Sequence, residues 1–582
     1  MPDDHPPKDW QAISSNKRAQ RDALIPTAWK LPPSTIDTYK HRPISIFDAP
    51  IPSALCPNIL SAAELELTDP KRGDATDLVR LLQSGIVSAE VVVTAFCKRA
   101  AVAQQSTNCL SEILFAEAIE QAKVADKWRE ESGQKLPPLH GLPVTVKDSF
   151  FIKGLDACIG ITSLCNDPST TNSHMIDILQ SHGAIIIAKT TVPQTMLTAD
   201  TDSIVFGRTV NAYRGTFGAG GSSGGEGVVV AMGASALGLG TDGAGSVRMP
   251  AFVNGFCGWK PSGYRLPLDG RAILGRGVMG STVVGPVSVS GLLSRSVRDA
   301  RLVGRLIAEA EPWVRNPFCA PSPWMGLTLS PGRPLRLAVW REYDHVHLLP
   351  PVARGFQLAQ DRLRTAGHIL VDFKGPSMKD VWTLQKEFVV LQDLRPLRKM
   401  IATEPVTEIV KRTGILFPEK SEPDITLDRL HELNERVAGL VVQMVQAWNT
   451  ASASGGEGEG VEEIDAILGV PAAHTALPFD EYTDLGMTGL CNVIDWPAVV
   501  VPLGRRGEGG VVKKELGDFD HGKRVGVEML RSETDGRLQN IFFGERQSEF
   551  EGLPLSVQVI GRRGMDERLL GVAEVVEKVL RC

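Results

Sequence analysis

Serine chemistry is concentrated where this chain is richest in glycine. The stretch GAGGSSGGEGVVVAMGASALGLGTDGAGSVRMP, Gly218 to Pro250, holds Ser222, Ser223 and Ser246. Eleven of its 33 residues are glycine. Glycine weakens helix and strand alike, so such density needs a reason. Ser222 and Ser246 each fall beside an expected helix N-terminus. Ser246 also follows a turn, Asp242-Gly-Ala-Gly245, that is nearly bare of side chains. Such a turn can aim several backbone N–H groups at one spot, where the helix dipole also favours negative charge. Acyl transfer requires that arrangement for its oxyanion, and it requires a base to take the proton of a serine nucleophile.

Three other readings compete. Gly238-x-Gly-x-x-Gly243 has the spacing of a dinucleotide fingerprint, which would make the protein an oxidoreductase. That motif needs a strand ending in an acidic residue about 20 residues on, and none is evident. Gly220-x-Ser-x-Gly224 matches a nucleophile elbow. The preceding NAYRGTFGAG makes a poor strand, and no late Asp and His pair stands out. In the plainest reading glycine serves packing and serine serves helix caps. The DHVH run at 344–347 carries metal-ligand types, but no second cluster completes a site. Neither a metal nor an organic cofactor is called for.

The elements that would hold these residues follow from local pattern. Ser223-Gly-Gly-Glu226 is a capping box, so a helix should start at Ser223 or Gly224. Leu237 and Leu239 alternate with Gly238 and Gly240, the mark of a strand approached closely by another backbone. Val144 and Val146 predict a short strand with Lys147 at its end. Gly183–Thr190 predicts a second, buried strand after a helix. If the chain there is extended, Asp148 points away from Lys147. Helices and apolar strands alternate as far as Val303, which predicts an α/β fold with a mostly parallel or mixed sheet. Near the N-terminus, residues 10–25 read as an amphipathic helix with Trp10, Ile13 and Leu24 on its apolar side. The Pro-rich pieces IPTAWKLPP and FDAPIPSALCP follow as a wrapped arm. Residues 451–463 and 504–522 are glycine- and charge-rich and read as surface loops. Strand and helix return at LPLSVQVIGRRGMDERLLGVAEVVEKVL, so the sheet should draw on both ends of the sequence.

Composition bounds the partners. In 582 residues the net charge is −6, with 43% hydrophobic and 22% charged residues. Nothing there points to nucleic acid or an anionic membrane. The N-terminus is polar, and the longest uncharged apolar stretch, 227–241, is too short to span a bilayer. Nine scattered cysteines without a CxxC pair fit a reduced, cytoplasmic setting.

GGSSGGEG and GLGTDGAGSVRMP, with GLPVTVKD upstream, closely resemble the amidase signature family of serine hydrolases. Residues 188–211 look like the stretch preceding that signature in fungal acetamidases and fatty acid amide hydrolases. TGLCNVIDWPAVVVPLG and LPLSVQVIGRR resemble their C-terminal segments, and residues 9–32 are similar to the opening of the acetamidase group. The resemblance covers nearly the whole chain, least clearly at 505–545. It implies a large central mixed sheet flanked by helices on both faces. It also implies an N-terminal helical and extended arm (1–70) and one catalytic domain (71–582), with the signature core at about 140–265.

By the same resemblance Ser246 is the nucleophile, Ser222 the bridging serine with a cis peptide bond, and Lys147 the base. The N–H groups of Gly243, Ala244, Gly245 and Ser246 fall on the oxyanion hole, and Asp242 and Arg248 on a supporting pair. Met196 and Thr198 fall either on a substrate channel or in core packing. The family usually has Gly-Gly-Ser where this chain has Ala244-Gly245-Ser246, and alanine tolerates positive φ less well. The implied function is hydrolysis of a small-molecule carboxylic amide to acid plus ammonia or amine, without metal or cofactor. A homodimer is the expected assembly. Acyl transfer or amidotransfer at the same site, fatty-amide hydrolysis and dinucleotide-dependent oxidoreduction are the alternatives.

Overall fold

The computed structural model describes residues 9–36, 58–272, 285–326, 329–330, 332–391, 394–417, 426–453, 463–482, 485–504 and 524–581. The Pro-rich piece at 47–57 and most of the loops expected at 451–463 and 504–522 lie outside the described residues.

Eleven strands among the described residues form one mixed sheet. They are β1 (Leu110–Ile113), β2 (Pro143–Lys147), β3 (Ile185–Thr190), β4 (Leu237–Asp242), β5 (Cys257–Lys260) and β6 (Val289–Ser294). Then come β7 (Arg336–Trp340), β8 (Ile369–Phe373), β9 (Ala466–Gly469), β10 (Ala498–Pro502) and β11 (Ser556–Ile560). Their spatial order is β1-β3-β2-β4-β6-β5-β10-β11-β9-β7-β8. β2 runs parallel to both β3 and β4, whereas β4–β6, β6–β5, β5–β10 and β10–β11 are antiparallel. Every residue of β2 through β6 is buried. Successive strand residues face opposite sides, so both faces of this part of the sheet are covered. The expected α/β architecture with a mixed sheet is observed, and β10 and β11 join its middle from late in the chain. No helix among the described residues is long and apolar enough to cross a membrane.

The two halves of the glycine-rich stretch frame β4. Before it lies the helix Gly224–Ala231, and after it the helix Arg248–Asn254. Glycine earns its place at 225 by proximity. A Cβ there would lie 2.5 Å from both Cys109 O and Thr191 N, so the helix could not settle against the end of β3.

The N-terminal helix, Trp10–Ala23, corrects the expected packing. Its buried residues are Ser14, Lys17 and Arg21, while Leu24 is 52% exposed. Lys17 Nζ reaches Glu112 Oε1 at 2.6 Å and Asp156 Oδ2 at 2.8 Å, and Arg21 donates to Asn108 Oδ1 and Leu110 O. Ile13 does pack on the cluster of Cys158, Cys165, Val205 and Phe206, but the buried contacts of the helix are ion pairs and hydrogen bonds, which an apolar periodicity does not register.

Gly225→Ala should lower stability by about 1–3 kcal/mol through overpacking, although alanine is the better helix former by about 1 kcal/mol. Chemical denaturation is the measurement. A variant at least as stable as the parent would show that the backbone contact has room to give.

Candidate functional site

The end of β2 brings the candidate residues together. Lys147 is its last residue and is fully buried. Its Nζ lies 2.7 Å from Ser222 Oγ and 2.8 Å from Thr241 Oγ1. Both partners are hydroxyls. Asp148, the next residue, faces elsewhere, accepting from Ser111 Oγ and Ile159 N. Burial, reinforced by the positive charge of Arg271, pulls the Lys147 ammonium down to about 7. An amine in that range is a usable base near neutral pH. Thr241, which sequence reasoning missed, is its second contact. The residue is ordinary in type, and only the parallel pairing of β2 with β4 brings it near the amine.

Ser222 follows Gly221 through a cis peptide bond and is buried. The approach of the backbone there is close. A Cβ on Gly221 would lie 2.7 Å from Thr198 O. Ser246 is only half-buried, as are Gly243 and Ala244, so this loop faces outward while Lys147 lies beneath it. Ser223 N donates to Ser246 O at 3.2 Å, tying the two serine loops together. Of the expected relay, the Lys147–Ser222 link is a hydrogen bond, and the Ser222–Ser246 link is not one among the described residues. Catalytic hydrogen bonds without substrate are often long and tighten only in the complex.

The capping box expected at Ser223 and Glu226 is absent. Ser223 precedes the helix but makes no side-chain cap bond. Glu226 turns instead into the sheet, where its carboxyl meets Thr145 Oγ1 at 2.7 Å and Thr190 Oγ1 at 2.9 Å. Gly238 lacks a side chain because a Cβ there would lie 2.3 Å from Glu226 Oε2. Burial pushes this carboxyl up to about 8, against the hydroxyl contacts. The surrounding bonds fit a neutral acid. Ser235 donates its proton to Leu237 O, and Thr145 lies 3.0 Å from Ser235 Oγ and can donate there. Glu226 can then donate to Thr145. A neutral Glu226 leaves no carboxylate beside Lys147 on that side to stabilise the ammonium.

Asp242 and Arg248 form a fully buried ion pair, with Nε to Oδ2 at 3.0 Å and Nη2 to Oδ1 at 2.9 Å. Burial alone would raise the Asp242 carboxyl, but the Arg248 guanidinium outweighs it and holds the group at about 2. The remaining guanidinium contacts come from far along the chain. Nη1 donates to Gln558 Oε1 at 2.9 Å and Nη2 to Asn492 Oδ1 at 2.7 Å. Asn492 and Gln558 lie in the two late segments that carry the resemblance, but nothing in the sequence assigned either of them a role.

The loop Gly243–Ser246 corrects two expectations. The Gly245 N–H donates to Asp242 Oδ1 at 2.8 Å, so it serves the turn and is not offered outward. Gly243, Ala244 and Ser246 are left, among the described residues, with N–H groups not taken up by other protein atoms. Positive φ falls on Gly245, at 124°, and not on Ala244. Alanine therefore replaces the family's usual glycine where the backbone does not require one.

Met196 and Thr198 both fit the packing alternative. Met196, at φ 61°, packs on a satellite cluster that includes Ile159, Val192 and Leu397. Thr198 is buried with its hydroxyl donated to Asp200 O at 2.8 Å. Among the described residues, no group of three or more His, Cys, Asp and Glu side chains could hold a metal ion.

Residues 91–570 match the family described as Amidase. The chain is 30% identical over 588 residues to an acetamidase of Emericella nidulans, covering 99% of each chain. It is 31% identical over 585 residues to an amidase of Gibberella moniliformis, again covering 99% of each. Among solved structures, a fatty acid amide hydrolase superimposes with a TM-score of 0.84 at 25% identity, covering 98% of this chain and 95% of that one.

Asp242→Asn leaves Arg248 buried without its anion and should cost about 3–5 kcal/mol. Equilibrium unfolding by denaturant checks this. A change below about 1 kcal/mol would mean that the asparagine and glutamine contacts suffice for the guanidinium.

Proposed function

The chain belongs to the amidase family and is an amide hydrolase, and we propose that Ser246 is its nucleophile, Ser222 its proton bridge and Lys147 its base. The substrate in this reading is a small carboxylic amide, cleaved to an acid and ammonia or an amine.

Neutral Lys147 takes the proton of Ser222, and Ser222 takes that of Ser246. Ser246 Oγ adds to the amide carbonyl carbon. The N–H groups of Gly243, Ala244 and Ser246 hold the tetrahedral oxyanion. The relay then returns the proton to the leaving nitrogen, the C–N bond breaks, and an acyl-enzyme remains. Water, deprotonated through the same relay, adds to the ester carbonyl and releases the acid.

The observation that carries this reading is the environment of Lys147. A fully buried amine lies 2.7 Å from the Ser222 hydroxyl, with no carboxylate among the described residues hydrogen-bonded to it. The acetamidase relative and the fatty acid amide hydrolase neighbour support amide substrates as a class.

A fluorophosphonate probe followed by peptide mapping tests the assignment. The adduct should sit on Ser246, vanish in Ser246→Ala and form at least about 100-fold more slowly in Lys147→Ala. Adduct on Ser222 would reverse the two serine roles.

The pH profile is an independent check. Only the unprotonated amine can act as base, so kcat/KM should rise with pH and level off above a midpoint of about 7. Glu226→Gln, which keeps a neutral group in place, should leave that midpoint unmoved. A midpoint displaced downward in this variant would show that the carboxyl carries charge beside the amine.

A further inference from the structure

The peptide between Ala244 and Gly245 is held at both of its polar ends. Its N–H donates to Asp242 Oδ1 at 2.8 Å, and its C=O accepts from Thr488 Oγ1 at 2.7 Å. The two groups of a trans peptide point in opposite directions. The plane is therefore pinned from one side by β4 and from the other by the helix Gly486–Val493. The same hydroxyl also lies 3.3 Å from Leu485 O, but that carbonyl already accepts the Gly489 N–H at 2.6 Å. The single hydroxyl proton is best used on Ala244.

Shape enforces the contact as well. A Cβ on Gly245 would lie 2.3 Å from Thr488 Oγ1, so the absent side chain at 245 is the seat of the threonine. One helical turn further on, Asn492 Nδ2 donates to Asp242 O at 3.0 Å, while Asn492 Oδ1 accepts from Arg248 at 2.7 Å. Residues four apart share a helix face, so one face of this buried helix grips the loop at 242, 244 and 248.

We propose that Thr488 is a positioning residue for the reaction. By fixing the Ala244 carbonyl it sets the orientation of the flanking Ala244 and Ser246 N–H groups. Release of this peptide would leave the loop free to change shape, disturb the aim of the flanking N–H groups and remove stabilisation that acts only in the transition state. The inference rests on Ser246 as nucleophile.

The test compares Thr488→Val, which keeps the shape and removes the hydroxyl, with Thr488→Ser, which keeps the hydroxyl. Both are assayed on a chromogenic anilide and labelled with the fluorophosphonate probe. Labelling of the parent enzyme at a residue other than Ser246 would fail the nucleophile assignment, and this inference with it. With Ser246 labelled in the parent, Thr488→Val should lose about 10- to 100-fold in kcat with KM changed less than about threefold. Thr488→Ser should recover to within about threefold of the parent. A valine variant within twofold of the parent in kcat, a loss confined to KM, or a serine variant as slow as the valine one overturns the proposal. If the valine variant does not fold, Thr488→Ala against Thr488→Ser supplies the same comparison with the same outcomes. A purely structural role would lower the unfolding midpoint without this split between kcat and KM.

Discussion

Water has been removed from a lysine side chain at the end of β2, and its hydrogen-bond partners among the described residues are hydroxyls, not carboxylates. Stripping an ammonium of its hydration is costly, and a group so placed gives up its proton instead. The hydroxyls of Ser222 and Thr241 can accept from or donate to a neutral amine but cannot replace the lost hydration of a cation. Parallel pairing of β2 with β3 and β4 produces the desiccation, since it leaves Lys147 enclosed by strands whose residues are buried throughout.

Directly beside this amine the fold treats charge in the opposite way. Asp242 and Arg248 are just as deeply buried, yet both stay ionised because each satisfies the other and the remaining guanidinium donors reach Asn492 and Gln558. A buried ion pair adds little to stability compared with a well-packed apolar pair. Its worth here is geometric, because Asp242 also accepts from the N–H groups of Gly245 and Val247. In the proposed mechanism one buried charge is surrendered to make a base, and another pair is kept to give a glycine-rich loop a fixed shape that it has little intrinsic tendency to hold.

The central strands and both serine loops were legible in the sequence because their signals are local. A run such as LPVTVK marks a buried strand by its own apolar pattern, and a turn nearly bare of side chains marks close backbone approach. Lys147 needed more than local pattern. A lone lysine is ordinarily a solvated side chain, and only the long motif containing it set it apart. Where the local rule failed, a tertiary contact had won. Glu226 obeyed the capping-box spacing but found two threonine hydroxyls inside the sheet. The N-terminal helix turned its lysine and arginine inward because Glu112, Asp156 and Asn108 were waiting there. Thr488, Asn492 and Gln558 lie in the late segments that carry the resemblance, yet their contacts were illegible for a simpler reason. Their partners lie hundreds of positions away, and nothing in a threonine or an asparagine on an apolar helix says what it will meet.

That distance shapes how the molecule is made. Arg248 and Gln558 are separated by 310 residues, about 15–60 s of ribosomal elongation. Until that interval ends the nascent chain carries its serine loops without the full set of side chains that brace them, and the middle of its sheet lacks β11. Pairings of such high contact order are closed late and slowly. Completion of the brace around Arg248 is therefore coupled to synthesis of the segment that carries Gln558, and the polypeptide that lacks it is the form most in need of chaperone protection.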